Sequence, residues 1–86
     1  MPSDRYARDT ELIFRMDAAI VRTVMRSRGK FQNDLFQVVW KTCLTKPKIP
    51  NYEAFRNLFL QRVDSLIERE YIARESPKPD LLCYLA

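Results

Sequence analysis

Between residues 11 and 28 the apolar positions Ile13, Met16, Ile20 and Val24 recur at intervals of three, four and four. On a 3.6-residue period they share one stripe, widened by Leu12 and Val21, so the spacing predicts a long amphipathic helix. Arg15, Arg22 and Arg26 form a second stripe well away from the first. Ser3 or Asp9 can cap this helix, and Asp9 and Glu11 put negative charge near its positive end. Arg26 and Arg28 favour a last turn here, and Gly29 is the residue expected to take a positive φ just beyond it. Residues 30–32 read as a short connector able to pair as a strand.

A second helix is expected from about Asn33, a good N-cap, through NDLFQVVWKTCL. Leu35, Val39 and Cys43 step by four with Phe36 and Trp40 beside them, so most of its circumference should be buried. Phe36 and Trp40 read as core, not as a ligand box. The run TKPKIP at 45–50 is the clearest break, because two prolines remove backbone donors and extend the residues before them. Asn51 can cap a third helix reaching about residue 70. Its inner face is Tyr52, Phe55, Phe59, Val63, Leu66 and Ile67; its outer face is Glu53, Asn57, Gln61, Asp64 and Glu68.

The period then changes. Residues 71–74 and 81–85 read as short strands, joined by the turn residues Ser76, Pro77, Lys78, Pro79 and Asp80. Three helices followed by a β-hairpin is the order of a winged helix: mainly α, with the hairpin as the wing. Residues 1–8 are expected to be a flexible N-terminal segment, and 9–86 the domain.

Composition narrows the chemistry. The 86 residues suit one domain, with no apolar run near the ~20 residues of a membrane span. With no His and a single Gly, Ser–His and Cys–His catalysis, His-ligated metals and Gly-rich phosphate loops are excluded. Cys43 and Cys83 lack metal-ligand spacing and read as buried reduced thiols in an intracellular protein, a disulfide being the lesser reading. No cofactor is implied, and catalysis is not expected. The net charge of +4 suits an acidic partner, protein or nucleic acid, without choosing between them.

The winged-helix order raises DNA binding first. A recognition helix must bring basic or amide side chains to base edges without setting carboxylates against phosphates. The outer stripe of the third helix holds three acids, two amides and no base. Arg56, Arg62 and Arg69 fall at its flanks, where their stems cover the core edge. The residues argue against the fold analogy. The alternative that keeps DNA would use Arg15, Arg22 and Arg26 with Lys78 of the wing.

Three segments resemble one family. DAAIVR at 17–22, VDSLIEREYI at 63–72 and the closing YLA at 84–86 are similar, in order and spacing, to the last domain of the cullins. Those scaffold subunits of RING-type ubiquitin ligases typically show AAIVRIMK, then RIESLIEREYLER, and end in YLA or YVA. The match runs from about Met16 to Ala86. It implies a C-terminal winged-helix domain of a longer scaffold, with Ala86 its natural end, in the cytoplasm or nucleus. It also implies a non-catalytic module whose partners are the RING protein, the conjugating enzyme, the neddylation machinery and the rest of the scaffold.

In that family one lysine, the last residue of IVRIMK, accepts a ubiquitin-like modifier. Here the pattern departs. Ungapped, the acceptor position falls on Met25; with one inserted residue it falls on Arg26, which also aligns Ser27, Arg28 and Lys30 with the usual SRKK run. Neither Met nor Arg can form the isopeptide bond, because Met has no amine and the guanidinium stays protonated at any physiological pH. The chain is then an unmodified divergent member, a Lys→Arg variant made to block modification, or one whose acceptor has moved to Lys30. Lys30 reads otherwise as a solvated turn lysine, and Lys41, Lys46 and Lys48 have no family support. Arg15, Arg22, Arg26 and Arg28 are either a solvated face or a docking surface for acidic partners.

Overall fold

The computed structural model describes residues 10–43, 51–75 and 78–85. Three helices are followed by a small antiparallel sheet: α1 Thr10–Ser27, β1 Lys30–Phe31, α2 Gln32–Cys43, α3 Tyr52–Glu68, β2 Ile72–Arg74 and β3 Leu81–Tyr84. The strands run in the order β1-β3-β2. The hairpin expected from 71–85 is there, and the 30–32 connector contributes residues 30 and 31 as a third strand. Lys30 pairs with Leu82 and Phe31 with Leu81. Ile72, Ala73 and Arg74 face Tyr84, Cys83 and Leu82. The expected caps at Ser3 and Asp9, the 1–8 segment, the 45–50 break with Lys46 and Lys48, Ser76, Pro77 and Ala86 lie outside the described residues.

Each helix contributes one stripe to a common core. From α1 come Met16, Ala19, Ile20 and Val24; from α2 Leu35, Phe36, Val39 and Cys43; from α3 Phe55, Leu58, Phe59, Val63 and Leu66. Ile72 and Leu82 close it from the sheet, while Leu12, Ile13, Val21, Trp40 and Ile67 pack at its edge. Phe36 is the hub, with ring centroids 5.1 Å from Phe59, 5.5 Å from Tyr52 and 6.0 Å from Trp40. These tilted and edge-on rings add directional attraction to the area they bury.

The helix ends show where side-chain pattern alone falls short. Asn51 caps α3 as expected, its Oδ1 accepting from the Ala54 N–H at 3.0 Å. At the other end Glu70 takes φ +63°, its N–H donating to Ile67 O and that of Tyr71 to Leu66 O. This pair of bonds is a Schellman closure built on a glutamate where glycine is usual. Tyr71 therefore belongs to the turn, and the strand starts at Ile72. After α1 the left-handed residue is Arg28, φ +58°, ahead of Gly29 at φ +140°, so the positive φ is not Gly29's alone. A Cβ on Gly29 would sit 3.6 Å from Cys83 Sγ and Leu81 Cδ1, an ordinary contact; the glycine is needed for its φ, not for space. α2 begins at Gln32, one residue before the expected Asn33 cap, and the Gln32 N–H, which has no acceptor within the helix, donates to Asp80 O at 2.8 Å.

Candidate functional site

The two faces of α1 do different work. Its core stripe includes Val24 fully buried, while Arg26 is exposed, as the 3.6-residue phase requires. Arg22 and Arg28 are exposed and Arg15 is half-buried. Met25, the ungapped acceptor position, is also solvent-facing at 46% exposure. The fold therefore gathers Arg22, Met25 and Arg26 on the outward side of one helix. Arg15 lies near enough to Cys43 to oppose the rise in its thiol pKa, a rise that burial causes.

Lys30 takes the strand pairing open to the 30–32 connector, in place of the solvated turn position. It sits in β1, opposite Leu82, and is half-buried. Its backbone is held in the sheet by pairing with the central strand. The other correction concerns the thiols. Cys43 is buried, but Cys83 is only half-buried, because the outer face of this thin sheet has no layer over it. Cys83 Sγ donates to Glu75 Oε2 at 3.2 Å, and that hydrogen bond to a carboxylate pushes its pKa up. Both cysteines are free.

The site that sequence reasoning missed is the junction of α1 and α3. Asp17 accepts from Arg62 Nε at 2.8 Å and from Arg62 Nη2 at 2.7 Å, a fork-to-fork pair. Arg69 Nη2 adds a third bond at 3.3 Å, and its guanidinium lies 5.4 Å from the Tyr71 ring centre. The hydrogen bond to Asp17 raises the Arg62 pKa, against the opposing effect of burial. These partners stand 45 and 52 residues apart, so no local spacing announces them. The usable signal was an acid at the edge of one helix's core stripe and two arginines flanking another's. Arg62 and Arg69, expected to cover the core edge with their stems, are instead seen ion-paired with Asp17. Arg56 covers that edge by lying 5.2 Å over the Phe36 ring.

The outward face of α3 is the opposite of α1's. Glu53, Gln61, Asp64 and Glu68 are exposed, and Asn57 is half-buried. Tyr52, expected inside, is 49% exposed and lends only its ring edge to Phe36 and Trp40. Arg74 from the hairpin reaches Asp64 at 3.6 Å while donating to Gln32 Oε1 and Pro79 O. No exposed base lies on the helix itself. A depression of about 310 Å³ at the start of α2 is lined by Phe31, Gln32, Asn33, Asp34 and Asp80. The described residues hold no group of three or more His, Cys, Asp or Glu placed to bind a metal, and no helix among them is long and apolar enough to cross a membrane.

Compared with known proteins, the chain matches no protein-family model and no curated protein at a significant level.

Proposed function

We propose that the chain is a winged-helix domain of the kind that ends a cullin-like scaffold of a RING-type ubiquitin ligase, acting as a regulatory protein-interaction module. The observation that carries this reading is a convergence in space. The three segments similar to cullins are far apart in the chain, yet they meet. Asp17 of the first binds Arg69 of the second; Ile72 of the second pairs with Tyr84 of the third, and Leu85 donates to Tyr71 O. Resembling segments that hold one another are what a shared fold would produce. The three-helix order with a small antiparallel sheet is compatible with the winged-helix assignment.

On this reading the outward side of α1 occupies the place of the modified surface. Arg26, or Met25 without a gap, stands where relatives carry the acceptor lysine, and both are exposed. Neither supplies an amine that can attack a thioester. Lys30, the relocated candidate, lies on the edge strand β1 and is half-buried, so it offers a conjugating enzyme less exposed surface than Arg26 does. The partners are the RING protein, the conjugating enzyme with the neddylation machinery, and the rest of the scaffold, in cytoplasm or nucleus. The domain itself has no catalytic role.

Restoring the lysine tests this. In a reconstituted conjugation reaction on the parent scaffold, Arg26→Lys should yield a single isopeptide-linked modifier mapped to residue 26, and the native chain none there. Conjugate on Met25→Lys alone would select the ungapped alignment, and conjugate on native Lys30 would restore the relocated acceptor. Failure of all three, with a RING protein absent from the purified parent, would remove the cullin reading. The DNA-binding alternative gains no support from the exposed carboxylates of α3, which would face the phosphates.

A further inference from the structure

The arginines of α1 do not stand alone on its outward side. Phe14 is 75% exposed and Met25 46%, and at ~100° per residue they fall on the same line of the helix, with Ala18 and Val21 between them. The line is about 16 Å long at 1.5 Å per residue. Arg15, Arg22 and Arg26 run along one side of it. Asp17, already taken by Arg62 and Arg69, lies on the other. None of the ion pairs among the described residues involves Arg15, Arg22, Arg26 or Arg28.

We propose that this ridge docks an amphipathic helix of another protein, with apolar side chains over Phe14 and Met25 and a row of carboxylates against the arginines. Charge complementarity chooses the occupant. Arginines that no ion pair among the described residues takes up, beside an apolar line, are matched by a surface that is acidic at its edge and apolar at its centre. A polyanion satisfies the arginines but sets phosphates against Phe14. A second copy fits less well: the exposed Glu53, Gln61, Asp64 and Glu68 of α3 are acidic, but the apolar side chain on that face, Leu60, is half-buried against its own core and offers little to cover Phe14. The straight ridge of some three turns has the form that another helix packs along. Nothing in this requires a modified residue.

The test uses the 86-residue chain and three synthetic peptides of one length: a helix with a leucine stripe flanked by glutamates, its scrambled sequence, and the same helix with lysines for glutamates. Amide chemical shifts followed on titration should move along residues 14–26 with the first peptide and not with the other two, and the affinity should fall with added salt. Phe14→Ser should weaken binding on the order of tenfold, the scale of one aromatic side chain withdrawn from an interface. Arg22→Glu with Arg26→Glu should abolish preference for the acidic peptide. Both positions are exposed, so these variants should keep the native amide spectrum. Equal binding of the scrambled peptide, shifts centred on α3 or the sheet, no binding at millimolar peptide, or self-association of the chain in sedimentation through the same residues would each overturn the proposal.

Discussion

α1 and α3 are nearly equal in length and bury comparable stripes, yet their outward faces are opposites. α1 offers Phe14, Met25 and a row of arginines, while α3 offers Glu53, Gln61, Asp64 and Glu68. Fold analogy would assign recognition to the third helix of such a domain. On the proposed reading the side chains assign it to the first. Inward residues determine that both helices exist, and outward residues determine which one a partner can use.

The sharpest way to break this division is to exchange inward and outward phenylalanines. Phe59→Ala empties a fully buried ring position at the hub of the aromatic cluster and should cost about 3–5 kcal/mol in urea denaturation. Phe14→Ser should change stability by less than about 0.5 kcal/mol, as surface substitutions usually do. Comparable losses at both positions would mean that Phe14 is structural and the ridge is not a free surface.

Next in size is the joint between the two helices. Asp17→Ala leaves Arg62 partly buried without its carboxylate, and a charge-assisted pair of this burial is worth about 2 kcal/mol. Arg69→Ala should cost well under half of that, since Arg69 is 48% exposed and its contact is 3.3 Å. A cost near half that of Asp17→Ala would show that the ion pair is shared evenly, and an equal cost that it is centred on Arg69 and not on Arg62.

A smaller effect has the opposite sign. Glu70→Gly removes the left-handed strain from the Schellman closure and should stabilise the chain by about 1 kcal/mol in thermal denaturation. Loss of stability would mean that the Glu70 side chain makes a compensating contact. The smallest effect concerns the thiols. Cys43, with its pKa raised by burial, favours the folded state while neutral; that contribution is complete below the thiol's unfolded pKa and is lost as pH rises through the folded value. Alkylation at mildly alkaline pH should therefore reach half-buried Cys83 well before Cys43. Glu75→Gln should speed it further by removing the carboxylate that holds the Cys83 pKa up.

The parts that could be read from the chain are those governed by local rules. Periodicity placed all three helices to within a residue or two, and it phased α1 correctly between Val24 and Arg26. Asn51 announced its cap because capping chemistry acts over three residues. What escaped was either long-range or conformational. Asp17 with Arg62 depends on how two helices dock; the 30–32 connector could be read as able to pair as a strand, but its partner depends on β3 arriving beside Lys30. The left-handed Arg28 and Glu70 belong to residue types that rarely take that shape. Phe14 could be named in the sequence, but its exposure became meaningful only once the core stripe was known to exclude it.

The claim at the centre is that the outward surfaces address proteins and do not read nucleic acid. It is tested most directly by titrating the chain into labelled duplex DNA at about 50 mM salt and repeating at higher salt. The account predicts no change in anisotropy at any protein concentration below the non-specific range. A complex whose log affinity falls against log salt with a slope near −0.9 per phosphate neutralised, and which weakens when α1 arginines or Arg74 are reversed in charge, would contradict it.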